Sequence, residues 1–342
     1  MNLKSYKSPG LIRTILILHA FVLIVFLAYA GRFLFIPLFF SFLVAVSLHP
    51  VCRWLEEHRL NRLIASILCI FILLFVGVMI SYLLGSQFQR FAADLPSLNN
   101  KFDQLLQKLQ QWAKEHYNID ESMQTNYVAS LFDGLIKSSK VFLNGIFYVI
   151  INGTLCLFFI FYMLFYRSSV KAFVLSFYSR AFQNNIQEIL QAIHSTIPNY
   201  IKGLLTEILI LILLSTVTLL ILGIKYAILM AFFAGLLNII PYIGIYVAAL
   251  LNMLITIVTG HEGQSLEVLL VFVIIHIIDA NLITPLIVGR RIKLNPLATL
   301  IAVIAGKLVW GIPGMFLFIP LAAILKIILE KSLHRESNTE LS

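Results

Sequence analysis

Charge is what this chain of 342 residues has least of: 12% of its residues are Asp, Glu, Lys or Arg, about half the usual share in soluble domains. With 60% of residues hydrophobic, too little polar surface is left to cover a water-soluble fold. Acidic residues are the scarcer sign, 16 against 25 basic ones, for a net charge of +9. That surplus does not indicate nucleic acid, because the Lys and Arg residues sit in short clusters beside apolar runs, as the positive-inside rule expects. Cysteine is nearly absent. Cys52, Cys69 and Cys156 form no CxxC pair and have no His at ligand spacing, which leaves no metal or redox motif and makes them small apolar fillers. A GxxxxGK[ST] loop is missing, so nothing indicates ATP use, and without HExxH or GxSxG an intramembrane enzyme has no support. No cofactor is implied.

What is present is a series of long apolar runs, which define an all-α polytopic membrane protein. Residues 12–30, 33–50, 63–84 and 141–166 are long enough to span as helices. The first also resembles a secretory signal, with Lys4, Lys7 and Arg13 ahead of it and Ala28-Tyr29-Ala30 where a peptidase could cut. A second run begins at Phe33, so cleavage would leave that segment without its inner anchor, and a retained helix is favoured. Basic clusters orient the spans: Lys4, Lys7 and Arg13, then Arg53, Arg59 and Arg62, then Arg167, Lys171 and Arg180 belong inside. The N-terminal region 1–84 therefore holds three spans, 85–140 lies outside, 141–166 returns, and 167–204 is cytoplasmic.

In the outer segment Phe88, Phe91, Leu95, Leu98, Phe102, Leu105, Leu109 and Trp112 follow three-four spacing, an a/d seam. Pro96 interrupts it, so a helix is expected from near Ser97 to Tyr117, with residues 88–95 continuing the third span. Two readings of Leu98, Phe102, Leu105, Leu109 and Trp112 stay open. They join copies of the chain in a homo-oligomer, or they pack on a following helix where Met123, Tyr127, Leu131 and Leu135 repeat every four residues. Residues 167–204 read as amphipathic helices on the inner surface, ended by Pro198.

The C-terminal half, 205–330, carries the functional argument, with a short tail, 331–342, after it. Apolar stretches 226–258 and 297–330 would each run about 50 Å as straight helices, against a hydrocarbon core of about 30 Å. Each is broken in the middle, the first at Pro241 and Gly244 and the second at Gly311, Pro313 and Gly314, and each follows a separate span, 206–223 or 266–287. Keeping Arg290, Arg291 and Lys293 inside and the loop around Glu262 outside requires the first stretch to enter and leave on the outer side. The second then enters and leaves on the inner side. The expected architecture is about five full spans plus one further span, with two inverted span-plus-broken-hairpin units whose tips meet near mid-membrane; shallow re-entry, or two full crossings per hairpin, satisfies the same orientation. Such a layout serves alternating access, because non-helical backbone at that depth survives only in protein or beside a wet cavity.

Ionisable residues in these spans are functional candidates, since a charge at the bilayer centre costs about 2.5–3.5 kcal/mol even on insertion scales. Asp279 lies mid-span, with His276 one helical turn earlier on the same face. A carboxylate beside an imidazole can exchange protons. Glu207 lies about one turn inside its span. Lys307, in the second broken stretch, could neutralise Asp279, bind an anionic solute or snorkel to the interface. Asn238 and Asn281 could line the pathway or serve only as interhelical hydrogen-bonding groups.

Four blocks in register complete the reading: Leu236 to Gly244 (LLNIIPYIG), Asn281 to Gly289 (NLITPLIVG), Leu294-Asn295-Pro296, and Trp310 to Leu321 (WGIPGMFLFIPL). Their order and spacing resemble the signature blocks of the autoinducer-2 exporter family of bacterial permeases, and Pro285, within the second, is counted as a hairpin break with Pro241, Gly244, Gly311, Pro313 and Gly314. The resemblance covers the C-terminal half in motifs and the N-terminal half in layout. It implies a multi-pass inner-membrane protein, N- and C-termini cytoplasmic, assembling as a homo-oligomer. Members are proposed to export a small signalling molecule or to exchange sodium for protons. The chain departs from the pattern at Leu204, Leu205 and Glu207, at Ile245 where a proline is usual, and at Lys307, so the cargo stays open. The expected function is a secondary-active permease that exports a small polar or ionic solute, with proton or sodium coupling. A non-transporting scaffold and a passive channel are the alternatives.

Overall fold

Long apolar runs in lipid become helices because only a helix satisfies its own backbone within one segment. The computed structural model describes residues 9–117, 152–241, 243–259, 262–287 and 294–339, and among these there are helices and no strands. In order they are α1 (Pro9–Ala30), α2 (Arg32–Glu57), α3 (Arg62–Tyr117), α4 (Asn152–Phe165), α5 (Arg167–Ser176) and α6 (Arg180–Ile221). Then come α7 (Ala227–Leu237), α8 (Gly244–Val258), α9 (Ser265–Ile278), α10 (Thr284–Ile287) and α11 (Pro296–Thr339). Six helical stretches among the described residues are long and apolar enough to cross a membrane. The chain is an all-α polytopic membrane protein.

Two helices run through prolines expected to end or interrupt them. α3 is continuous for 56 residues, about 84 Å, so the third span and the outer helix are one element crossing Pro96. α6 likewise continues through Pro198 for 42 residues and joins the inner segment to the following span without a boundary at 204. A helical proline removes one backbone hydrogen bond, and the surrounding turns can hold the helix together when packing or hydration satisfies the freed carbonyl. The backbone at Leu98, Phe102, Leu105, Leu109 and Trp112 is helical, but the side chains of this seam, and the segment holding Met123 to Leu135, lie outside the described residues. α11 also continues past 330 to Thr339, so the described part of the expected tail is helical.

The first broken stretch is a helical hairpin of α7 and α8. Its arms, 11 and 15 residues, are about 16 and 22 Å long and too short to cross a hydrocarbon core. Gly244 closes the turn, since a Cβ there would strike the Leu237 carbonyl. On α7, Ala227, Ala231 and Gly235 recur every four residues and are buried, with Gly235 packed against Ile208 and Ile212 of α6. Small residues at this spacing let two helix backbones approach in lipid. At the hairpin's base Tyr226 adopts a left-handed conformation (φ 62°). Its hydroxyl donates to Asp94 of α3, and Lys225 Nζ donates to the same carboxylate at 2.7 Å. That bond holds the Lys225 ammonium above its usual range.

The second broken stretch lies within α11. Gly311 takes φ 66°, ψ −142°, a conformation that glycine alone adopts readily, and there the chain doubles back. Gly306 and Gly314 are eight positions apart, which a straight helix would separate by about 12 Å, yet a Cβ on either would strike the other's carbonyl. Trp310 and Phe318 rings pack edge to face at 5.2 Å.

The described residues of the two tips find different partners. Trp310 Nε1 donates to the Ala28 carbonyl at 3.0 Å, beside the C-terminal end of α1, whereas Asn238 in the first tip faces Asp279. Ile240 packs instead on a cluster formed by Tyr200 of α6 with Val303, Met315 and Ile319 in the arms of the second hairpin. The second hairpin reaches the far end of α1 and offers its flank rather than its tip.

Candidate functional site

Two carboxylates are buried at one level of the structure. Glu207 stands 14 residues before α6 ends at Ile221, and Asp279 stands 14 residues after α9 begins at Ser265, each about 21 Å along its helix. Their exposures are 6% and 5%. Thr284 lies between them, its Oγ1 2.9 Å from Glu207 Oε1 and 3.3 Å from Asp279 Oδ1. Asn238, at the first hairpin's tip, directs Nδ2 toward Asp279 Oδ2 at 3.5 Å. Spans α6 and α9 and the hairpin α7–α8 thus converge on one polar cluster.

Thr284 enters this cluster because the helix widens. In an α-helix a residue five positions on is turned about 140° away, so Thr284 would point elsewhere. Asp279–Ile283 instead form a π-turn, with the Thr284 N–H bonded to the Asp279 carbonyl, and that wider turn brings Thr284 under Asp279. Pro285 follows immediately and has no N–H to give to an α-helical ladder. It therefore marks the wide turn in this span rather than a hairpin break, which is where the sequence pattern had placed it.

The cluster is short of positive charge and of donors. Among the described residues neither carboxylate takes part in an ion pair. The Thr284 hydroxyl has one hydrogen, so it serves one carboxylate at a time. The bridged oxygens are at most about 6 Å apart, where two full charges repel by about 3 kcal/mol at an effective dielectric of 20. A proton or a small cation held among these oxygens would relieve that repulsion, and the Glu207 and Asp279 carboxylates and the Thr284 hydroxyl are hard oxygen ligands suited to either.

The other sequence candidates lie around this pair rather than in it. His276 turns toward α8, where Nε2 lies 3.3 Å from the Tyr246 hydroxyl and the rings pack at 5.1 Å; its Nδ1 is buried with no hydrogen-bond partner among the described residues. Asn281 is exposed and bonds the Ile277 carbonyl of its own helix at 2.8 Å. Lys307 is exposed on α11, with no ion pair to Asp279. Pro241 is in the first tip and Pro313 follows the reversal at Gly311. Sequence reasoning missed Thr284 and also Tyr200, which is buried on α6 two turns before Glu207; Thr284's place in the NLITP block was the available signal.

A helical membrane protein with two hairpins against its spans and a buried carboxylate pair at one tip, uncompensated among the described residues, has the design of a transport protein. The AI-2E family transporter profile matches residues 16–334, and the chain belongs to that family. It is 27% identical to the putative transport protein YrrI of Bacillus subtilis (strain 168), over 86% of each chain. It is also 27% identical to the putative transport protein YueF of the same organism, over 89% of each. To the AI-2 transport protein TqsA of Escherichia coli (strain K12) it is 25% identical, over 87% of this chain and 86% of the relative. The chain is a membrane transport protein.

Proposed function

We propose that this protein is a secondary-active permease that exports a small polar or ionic solute across the inner membrane, coupled to protons or sodium at Glu207 and Asp279. The observation that carries this reading is the Thr284-bridged carboxylate pair, buried against the first hairpin's tip without a counter-ion among the described residues. One proton or one sodium ion neutralises half of the pair's charge. Competition of the two for one set of oxygens is the simplest source of antiport. Because Asn238 belongs to the tip, occupancy of the pair changes the hairpin's hold on α9, and alternating access follows if the tip swings between two positions. The N- and C-termini are cytoplasmic in this reading, and the protein assembles as a homo-oligomer.

The test is proton and sodium flux in proteoliposomes under an imposed gradient, comparing wild type with Asp279→Asn and Glu207→Gln. Coupled permease activity predicts saturable, gradient-dependent flux in wild type that both variants lose while still folding. Flux without saturation would make the protein a channel. Unchanged flux in both variants would remove the pair from the mechanism.

A further inference from the structure

Far from the carboxylate pair, a second site opens where α2 ends, α3 begins and α4 bends into α5. The cleft is open and measures about 510 Å³. Arg53, Arg62 and Arg167 line it together with Ser168 and His49, and Glu56 and Glu57 lie in the same wall. Arg167 is paired with Glu56, and Arg53 with Glu57 at 3.1 Å. Both carboxylates are therefore engaged. Arg62 reaches only the Phe165 carbonyl, at 3.5 Å, and among the described residues it has no carboxylate partner. Three guanidinium groups against two carboxylates leave one cation in surplus, and guanidinium is the side chain best shaped to grip phosphate oxygens in a fork.

The setting says what kind of phosphate. α5 leaves α4 at 74°, so it runs nearly across the direction of the spans. Val170 and Phe173 on α5 and Phe177 just after its end are exposed, with the two phenyl rings packed on each other at 4.8 Å. A helix that lies across the spans and leaves aromatic side chains uncovered sits in the interface, its apolar residues among acyl chains. Arg167 and Ser168 open this helix and are thereby held at the level of lipid headgroups. Beneath the cleft lies a purely apolar cluster of α2, α3 and α4, including Ala45, Ala65, Ile160 and Leu164.

We propose that this cleft binds the phosphate headgroup of an anionic phospholipid of the inner leaflet, with Arg62 as the main anchor and Arg53 exchanging between Glu57 and the lipid. The bound lipid fixes the bend between α4 and α5 and so steadies the inner ends of α2, α3 and α4. Basic pockets between spans on the cytoplasmic side recognise anionic headgroups in this manner.

The experiment uses the full chain, purified and delipidated in a neutral detergent. Phosphatidylglycerol, phosphatidylcholine and inorganic phosphate are each titrated while thermal unfolding and bound lipid, by native mass spectrometry, are followed. Phosphatidylglycerol should raise the unfolding midpoint and remain bound, with phosphatidylcholine and inorganic phosphate doing neither. Arg62→Ala should weaken phosphatidylglycerol binding about five-fold, and Arg53→Ala with Arg62→Ala further, while Lys108→Ala on the outer part of α3 should leave it unchanged. Equal binding of phosphatidylcholine would overturn the proposal, and equal stabilisation by inorganic phosphate would make this a free-anion site instead. Unchanged binding in a folded Arg62→Ala variant would also overturn it. Should that variant not fold, the three wild-type titrations decide.

Discussion

One substitution, glycine to alanine, should act in opposite directions at different positions of this chain. In the α3 span, a Cβ at Gly77 or Gly85 would meet nothing within 4 Å. Alanine there gains helix propensity, about 0.5–1 kcal/mol. At Gly306 and Gly314 the same methyl would strike the facing carbonyl. Backbone cannot rotate out of the way as a side chain can, so the arms of the second hairpin must separate, at a cost of about 1–3 kcal/mol or more. Propensity returns only a fraction of that, and the net effect is destabilising. Gly244, packed on the Leu237 carbonyl of the first hairpin, belongs with the second group. Thermal unfolding of the five single variants in one detergent would rank them, with Gly77→Ala and Gly85→Ala above wild type and Gly244→Ala, Gly306→Ala and Gly314→Ala below. Transport should fall only in the latter three. If Gly306→Ala and Gly314→Ala unfold at or above the wild-type temperature, the arms do not touch and the reversal at Gly311 is wrong.

Thr284→Val keeps the side chain's shape and deletes the hydroxyl between the two carboxylates; a hydrogen bond to a charged group contributes about 1.5–3 kcal/mol. The sodium concentration for half-maximal flux should rise about 10- to 100-fold, and an unchanged value would take Thr284 out of the ion site. Asn252 is 3% exposed, its Oδ1 has no partner among the described residues, and it lines an apolar cavity of about 90 Å³ with Phe91 and Phe233. Asn252→Leu should therefore raise the unfolding temperature, and a marked drop would reveal an unseen bond to that oxygen. Lys225 and Asp94 are about half and two-fifths exposed. A double-mutant cycle with Lys225→Ala and Asp94→Asn should give a small coupling that fades in high salt; a large, salt-independent coupling would place the pair in a drier setting. Trp310→Phe loses the bond to the Ala28 carbonyl and part of a buried ring packed on Phe39 and Phe318, and should cost at least the bond's contribution of about 0.5–1.5 kcal/mol, read as a lower unfolding temperature.

Much of this was legible without coordinates because lipid imposes a simple rule. Apolar runs must become helices, and runs too long for the bilayer must break where proline and glycine sit. The spans, the two hairpins and the candidacy of Asp279 and Glu207 all follow from composition and position along the chain. Other features depend on neighbours that a linear reading cannot see. Pro96 and Pro198 looked like helix ends, yet whether a proline ends a helix depends on what satisfies the freed carbonyl, and α3 and α6 pass through both. Thr284 was invisible at five residues from Asp279, since only a π-turn brings that spacing onto one face. Lys307 and Asn281 were polar residues in the right spans, but rotation about a helix axis decides which side a residue faces, and both turn outward. The levels of the two tips were likewise set by packing, Trp310 against α1 and Asn238 against Asp279. Sequence alone determined that this protein lives in a membrane, where its chain must bend, and which charges are too costly to be idle. Tertiary structure decided which of those charges meet, because side-chain proximity across helices arises from packing and helix rotation rather than from spacing along one strand of sequence.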